Sequence, residues 1–240
     1  MNEMKGKKLN VNELHDPTRR AFIKNIGITA SVILLGRFGI HSIVWASSEK
    51  KILKMILVDY EECTGCRTCE TVCSSYNNPV TVNGETLPGL GNPVDSKIRV
   101  VSFNPDVDVP TVCAMCPDAP CVNVCPVEPD PKTGRRALYR NETTLTIQND
   151  PHRCIGCGNC AKVCLEQRRG VIMLDPQTGK PGGICNLCNG DPQCVKWCPV
   201  NALSYVEVRP ERKFYGLSPE KIAAELAQKW YGIKDVGGLK

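Results

Sequence analysis

The amino-acid sequence predicts an α+β fold of short antiparallel strand pairs and short helices, built from small repeated units. Two observations predict it. The chain of 240 residues has 16 cysteines but only four Phe and three Trp, so large aromatic side chains contribute little to a core. The cysteines fall into four groups of four, which alternate between two patterns along the chain. A repeat of this kind indicates duplicated small units rather than one large core.

The spacing of the cysteines defines the repeat. The first and third groups share the spacing C-x2-C-x2-C-x3-C, the second is C-x2-C-x4-C-x3-C, and the fourth is C-x2-C-x5-C-x3-C. The four groups are Cys63, Cys66, Cys69 and Cys73; Cys113, Cys116, Cys121 and Cys125; Cys154, Cys157, Cys160 and Cys164; and Cys185, Cys188, Cys194 and Cys198. Asp59 and Asp150 each lie four residues before an odd group, and both even groups end in Cys-Pro. The chain is therefore an odd–even duplication.

Short β-rich runs precede the cysteine groups. Residues 52–59 and 145–148 precede the odd groups, and residues 98–103 and 171–174 precede the even ones. These runs predict short strands. Each x3 interval suits one helical turn, because residues i and i+4 share a helix face.

Three connecting segments read as loops. Residues 74–97 are rich in Gly, Pro and Asn and predict a surface insertion. Residues 127–136 and 175–183 both contain Pro-x-Thr-Gly, which is typical of turns.

The C-terminal residues 218–231 form the clearest helix in the sequence. Ser218 suits the N-cap, Pro219 the first helical position and Gly232 the end. Ile222, Leu226 and Trp230 repeat at i, i+4 and i+8 and form one apolar stripe. This stripe either packs on its own domain or docks to a partner subunit.

The N-terminal residues 1–46 resemble a twin-arginine signal peptide. Arg19-Arg20 is followed by Phe22-Ile23-Lys24, then by an apolar stretch over residues 26–36 and by Val44-Trp45-Ala46. The resemblance implies export of a folded protein to the periplasm, with cleavage after Ala46. Cysteines of exported proteins usually form disulfide bonds, but a protein that is folded before export need not follow this rule. A chance arginine pair before a core helix and an uncleaved anchor are the alternatives.

Charge and histidine content exclude several classes. Residues 1–46 hold seven Lys or Arg against three Asp or Glu, so the rest of the chain is nearly neutral and predicts no nucleic-acid partner. Only His15, His41 and His152 are available for imidazole chemistry, which argues against a catalytic triad or an imidazole zinc site. No run of 18 uncharged apolar residues occurs, so we expect no transmembrane helix of its own after signal cleavage. We expect no catalytic residues.

The spacing of the cysteines is typical of iron–sulfur clusters. Three cysteines two residues apart can wrap one cluster, and glycines such as Gly65, Gly156 and Gly158 allow the tight path. In two-cluster ferredoxins the fourth cysteine of such a group ligates the other cluster. Zinc ribbons use paired C-x2-C at longer separations. A zinc-binding or disulfide-stapled structural protein is the remote alternative.

Over residues 54–208 the four groups resemble the four-cluster ferredoxin-like electron-transfer subunits of molybdopterin enzymes of the dimethyl sulfoxide reductase family. The resemblance lies in residues 113–126 (CAMCPDAPCVNVCP) and in Cys154-Ile-Gly-Cys157. Two features depart from that pattern: Ser74 and Leu165 replace a proline after the last cysteine of the odd groups, and the fourth group is compact. The compact form looks more like the subunits that serve tungsten-dependent aldehyde oxidoreductases.

The resemblance implies four [4Fe-4S] clusters with crossed ligands. Cluster A takes Cys63, Cys66, Cys69 and Cys198; cluster B takes Cys185, Cys188, Cys194 and Cys73; cluster C takes Cys113, Cys116, Cys121 and Cys164; and cluster D takes Cys154, Cys157, Cys160 and Cys125. It further implies two interleaved bacterial-ferredoxin-like modules within a domain of residues 47–208, one from groups one and four and the other from groups two and three. Residues 209–240 then form a C-terminal extension with the helix 218–231.

The resemblance also implies a function without catalysis. We expect an exported subunit that relays single electrons between a molybdopterin or tungstopterin catalytic subunit and a quinone-reactive membrane subunit or a cytochrome subunit. We expect it at the membrane surface through such a partner. A stand-alone periplasmic polyferredoxin is the alternative.

Overall fold

The computed structural model describes residues 53–208, 212–233 and 237–238. Its strands are β1 Leu53–Val58, β2 Val80–Val82, β3 Glu85–Leu87, β4 Ile98–Asn104, β5 Val107–Val112, β6 Leu138–Arg140, β7 Ile147–Asn149, β8 Met173–Leu174, β9 Pro181–Gly182, β10 Leu203–Val208 and β11 Gly237–Gly238. Its α-helices are α1 Thr68–Asn77, α2 Pro120–Asn123, α3 Asn159–Gln167, α4 Gln193–Lys196 and α5 Pro219–Tyr231. Short 3-10 turns lie at Pro93–Asp95 and Leu187–Gly190.

The strands form small antiparallel sheets. The order is β1-β10, β11-β4-β5, β2-β3, β6-β7 and β8-β9. Short antiparallel strand pairs combined with short helices confirm the predicted α+β class.

Strand pairing connects distant parts of the sequence. In the pair β1–β10, Leu53 lies opposite Val208 and Val58 opposite Leu203, which joins the segment before the first cysteine group to the segment after the fourth. The pair β6–β7 lies between the second and third groups. Groups one and four, and groups two and three, are therefore neighbours in space.

Two apolar cores follow the same division. The first core packs strands β1, β4 and β5 against helix α5 and contains Cys69, Cys73, Cys185 and Cys194. The second core packs β6 and β7 against α3 and contains Cys125, Cys160 and Cys164. This interleaving agrees with the predicted fold.

Proline decides how long each cysteine-bearing helix is. The predicted helical turn is confirmed in the odd groups, where α1 contains Cys69 and Cys73 and continues to Asn77. It is confirmed in the even groups as a single turn that goes no further, because α2 ends at Asn123 and α4 at Lys196, before the last cysteine of each group. That cysteine precedes a proline, and the residue before proline is disfavoured in the α conformation.

Several predicted boundaries are corrected. The strand expected over residues 145–148 begins at Ile147, because Leu145 has φ 59° and belongs to a turn in which Asn141 Oδ1 accepts from the Thr143 and Thr144 N–H groups. The strand expected over residues 171–174 covers only its last two residues. The predicted loop 175–183 contains β9.

The predicted insertion 74–97 has more structure than expected. Its first residues complete α1, and the hairpin β2–β3 follows, with every strand residue exposed. The remaining residues include the 3-10 turn. The prediction of a surface segment is confirmed, whereas the prediction of a loop throughout is wrong.

Helix α5 packs onto the first core. It begins after Ser218, whose side chain makes no capping bond, and ends at Gly232, which has φ 70°. Ile222 and Leu226 are buried, but Trp230 is 37% exposed. The apolar stripe is therefore internal along most of the helix and reaches the surface at its last turn.

The proposed signal peptide, residues 1–46, lies outside the described residues. Within the described ranges, none of the helices has the length and apolar character needed to cross a membrane.

Candidate metal centres

Four cysteines from two groups line one cavity in the second core. They are Cys113, Cys116, Cys121 and Cys164. The first three come from group two, and α3 supplies the fourth through the face it turns to this core. Most of the remaining lining is apolar, and Arg168 and Arg169 complete it. We refer to these four cysteines as set C.

A second cavity in the same core is lined by a corresponding set, which we call set D. It consists of Cys125, Cys154, Cys157 and Cys160. The other lining residues carry no charged side chain; among them is Asn149, whose Oδ1 is buried without a hydrogen-bond partner. Set C thus takes the last cysteine of group three, and set D takes the last cysteine of group two. The sequence resemblance implied this arrangement.

The other eight cysteines lie near one another within the two predicted sets A and B. Burial raises the pKa of the Cys63 thiol, and a hydrogen bond from the Gly65 backbone opposes this effect. Asp108 and the thiols of Cys66 and Cys198 lie near enough to raise the pKa as well. Cys69, the fourth cysteine of predicted set A, is affected by Cys194 of predicted set B and by Cys63. In set B, burial and, after it, the neighbouring Cys73 and Cys188 thiols together raise the pKa of Cys194 to about 12.

The four sets follow one another in a row. Cys69 of set A interacts electrostatically with Cys194 of set B, Cys185 of set B with Cys113 of set C, and Cys121 of set C with Cys160 of set D. Cys66 in set A and Cys157 in set D are exposed, whereas all four cysteines of set B are buried. The row therefore reaches the surface at both ends.

Backbone N–H groups point at the sulfur atoms of set B. The Lys97 N–H donates to Cys73 Sγ at 3.3 Å, and the Leu187 N–H donates to Cys185 Sγ at 3.4 Å. Such bonds favour the thiolate form, which is the form that binds metal.

All sixteen cysteines lie within the described residues, and each is a free thiol. Burial raises the pKa of Cys113 and of Cys121 to about 12, so these groups are protonated at neutral pH in the absence of metal. Iron must displace those protons, because the thiolate is the ligand.

The geometry fits a multi-iron group better than a single ion. A zinc ion would hold sulfur atoms about 2.3 Å from one point. Among the residues that the structure describes, no three Cys, His, Asp or Glu side chains are placed to hold one ion. Sets C and D instead surround cavities, and the donors are thiols alone, as [4Fe-4S] clusters require.

Glycine permits close packing of the cysteine loops. A Cβ at Gly65, where φ is 66°, would lie 1.9 Å from Asp108 Oδ2. A Cβ at Gly156, where φ is 67°, would lie 2.4 Å from the Thr178 carbonyl oxygen. Both positions therefore need glycine for two reasons, the backbone conformation and the lack of space.

Charged side chains near the cysteines differ in what they contact. Arg67 lies 3.4 Å from Glu70, Arg153 donates to the carbonyls of Glu128 and Arg135, and Lys162 is exposed. Sequence reasoning missed Arg168 and Arg140, which lie closer to a sulfur set. Arg168 follows Cys164 by four residues, directly after the end of α3, and its nearness in sequence to that ligand was the available signal.

Comparisons with known proteins identify relatives over most of the chain. A family model described as a 4Fe-4S binding domain matches residues 146–171. The polyferredoxin-like subunit of aliphatic sulfonate oxidoreductase from Pyrococcus furiosus is 32% identical over 182 residues, covering 74% of this chain and 92% of that protein. The thiosulfate reductase electron transfer subunit PhsB of Salmonella typhi is 32% identical over 189 residues, covering 76% and 83%.

A third relative and a solved structure extend the comparison. The electron transport protein HydN of Escherichia coli is 29% identical over 182 residues, covering 70% of this chain and 94% of that protein. A chain of the active site complex BamBC of benzoyl coenzyme A reductase is 26% identical, covers 75% of this chain and 93% of its own length, and superposes with a TM-score of 0.34.

Proposed function

The chain belongs to the polyferredoxin-like, [4Fe-4S]-binding electron-transfer subunits of oxidoreductases, and from that membership we propose its specific role. We propose that it is an exported subunit with four [4Fe-4S] clusters. It relays single electrons between a molybdopterin or tungstopterin catalytic subunit and a quinone-linked or cytochrome partner. It does not itself catalyse a substrate reaction.

The observation that carries this proposal is the pair of cavities lined by sets C and D. Each brings together three cysteines of one group with the last cysteine of another, so that four thiolates can hold one cluster. By the same crossed pattern, sets A and B hold the other two. When bound, each cluster takes up and releases one electron at a time.

The row of sets supports a relay rather than storage at one place. Consecutive sets are neighbours, and set B, inside the row, is kept from solvent by the burial of all four of its cysteines. The exposed ends, at Cys66 and Cys157, are where partners can come close. A two-ended row suits a subunit that lies between a donor and an acceptor.

The relatives support a complex with a catalytic subunit. The protein from Pyrococcus furiosus is named as the subunit of an aliphatic sulfonate oxidoreductase, and PhsB as the electron transfer subunit of a thiosulfate reductase. The experiment is purification of the tagged chain from its native host under anaerobic conditions. We expect a larger catalytic subunit that contains a pterin-bound metal to copurify, whereas recovery of this chain alone would favour a stand-alone polyferredoxin.

Cluster number and ligand pairing have their own test. We expect about sixteen irons per chain, four for each cubane. Cys125→Ser should alter the electron paramagnetic resonance signal of cluster D, and Cys164→Ser that of cluster C. The opposite assignment would refute the crossed pairing, and zinc in place of iron would refute the proposed function.

Export is tested separately from electron transfer. Replacing Arg19 and Arg20 together with lysine should keep the loaded protein in the cytoplasm, because the arginine pair is the address that the export receptor reads. Lys7→Gln and Lys8→Gln, before the pair, are the matched control. Unchanged export of the arginine variant would exclude the twin-arginine route.

A further inference from the structure

The two cavities of the second core differ in charge. Arg168 and Arg169 line the cavity of set C, whereas no charged side chain lines the cavity of set D. Both cavities have four cysteines and belong to one core, so the arginines are a clear difference between them, beside the exposure of Cys157 in set D.

Arg168 lies beside a sulfur atom of set C. Arg168 and Cys116 both line the cavity of set C. Burial raises the pKa of the Cys116 thiol, and the charge of Arg168 acts in the opposite direction and favours the thiolate. Arg168 Nη2 also lies 2.5 Å from Asp118 Oδ2, and Nη1 donates to the Gln167 carbonyl at 2.9 Å. Asp118 partly neutralises the arginine and is itself exposed.

Arg169 adds a buried charge. Its residue is 6% exposed, Nη2 donates to the Phe214 carbonyl at 3.1 Å, and neither Nε nor Nη1 has a partner. Among the described residues no carboxylate forms an ion pair with it. The Tyr60 phenol also lies beside Arg169. A buried cation without an anion is costly, and because Arg169 lines the cavity of set C, four thiolates there would supply negative charge.

Each set also has one arginine on the backbone of a ligand cysteine. Arg140 donates to the Cys116 carbonyl in set C, and Arg136 donates to the Cys125 carbonyl in set D at 2.5 Å. The charge of Arg140 also acts on the pKa of Cys113, in the direction that favours the thiolate. In the cavity lining itself, set C is distinguished by Arg168 and Arg169.

We propose that Arg168 and Arg169 hold the reduction potential of the cluster at set C above that of the cluster at set D. The physical reason is that reduction adds one negative charge, and nearby cations stabilise the reduced form in proportion to their proximity and burial. With clusters bound, the cluster held by set D would be oxidised by one electron as the cluster held by set C is reduced by one, and no proton would be required. This inference rests on the proposed function, since it assumes loaded clusters at both sets.

The test uses two substitutions with opposite signs. In Arg168→Gln the cation is lost, and the midpoint potential of the cluster at set C should fall. In Asp118→Asn the arginine remains and its neutralising partner is lost, so the same potential should rise. We expect a change of about tenfold in the reduction equilibrium, which is about 59 mV for a one-electron couple. Damage to the fold would not produce opposite shifts.

The measurement is an anaerobic redox titration of the full-length loaded protein, followed by electron paramagnetic resonance. Cys116→Ser identifies the signal of set C, because only that signal loses a ligand. Arg168→Lys retains the charge and should keep most of the potential. Lys162→Gln, an exposed position on the same helix, should leave every potential unchanged.

The outcomes separate the two proposals. A set C potential above that of set D, with opposite shifts in the two variants, supports the inference. Equal potentials, shifts of the same sign, or a shift in Lys162→Gln as large as that in Arg168→Gln would overturn it while the relay remains. Absence of iron–sulfur signals in the wild-type protein would instead refute the proposed function.

Discussion

Gly134 and Gly179 form a matched pair for testing how the cysteine loops are held. Both end an Asp-Pro-x-Thr-Gly turn, with φ of 65° and 66°. A Cβ at Gly134 would meet nothing within 4 Å, whereas one at Gly179 would lie 2.6 Å from the Gly156 carbonyl oxygen, between two ligands of set D. Gly134→Ala should therefore cost only the left-handed backbone strain, about 1–2 kcal/mol.

Gly179→Ala should cost the same strain and also displace a cysteine loop. Ordinary contact begins near 3.4 Å, so the backbone of one loop has to move by most of the difference. Metal constellations tolerate only about 0.5 Å of misplacement. We expect Gly179→Ala to lose the set D signal and close to four irons per chain, while Gly134→Ala keeps both. Equal iron content in the two purified variants would refute this reasoning.

Three further predictions concern stability. Ile222→Ala should destabilise the loaded protein by about 2–5 kcal/mol because Ile222 is 1% exposed, whereas Ile233→Ala, at a 39% exposed position, should lower the thermal midpoint much less. The buried Val100 N–H donates to Glu70 Oε1 at 2.7 Å, so Glu70→Leu should lower the free energy of unfolding by about 1–3 kcal/mol. Glu70→Gln retains an acceptor, and its thermal midpoint should lie closer to that of the wild type. Iron removal by a chelator should abolish most of the far-ultraviolet circular dichroism, since ligand cysteines belong to both cores; a native-like spectrum without iron would contradict this.

Much of this fold could be predicted from the sequence, through apolar patterns and through the residues that begin or end helices. The strand before the first cysteine group lies where its run of β-rich residues predicted it. Helix α5 lies where Ser218, Pro219 and Gly232 predicted its ends, because all of these signals are local. The absence of proline after Cys73 and Cys164 was visible in the sequence, and it decides the length of α1 and α3. The turn at Leu145 was missed because a leucine with positive φ is held there by Asn141, and no apolar pattern records such a bond.

For the candidate site, too, one part could be predicted from the sequence and another part could not. Cysteine spacing and resemblance predicted the crossed sets, because ligand geometry restricts spacing along the chain. The charges around them could not be predicted, since Arg140 reaches the Cys116 carbonyl from another strand and Arg169 is buried by tertiary packing. Such contacts depend on the assembled fold rather than on local sequence.

The pairing of β1 with β10 imposes an order on biosynthesis. The second core draws on a continuous segment, residues 119–184, and can assemble while the chain is still being synthesised. Strand β1 has no partner until Leu203–Val208 has left the ribosome, so the first core closes last and over the longest loop. A nascent chain therefore carries an unpaired β1 edge until Leu203–Val208 has been synthesised.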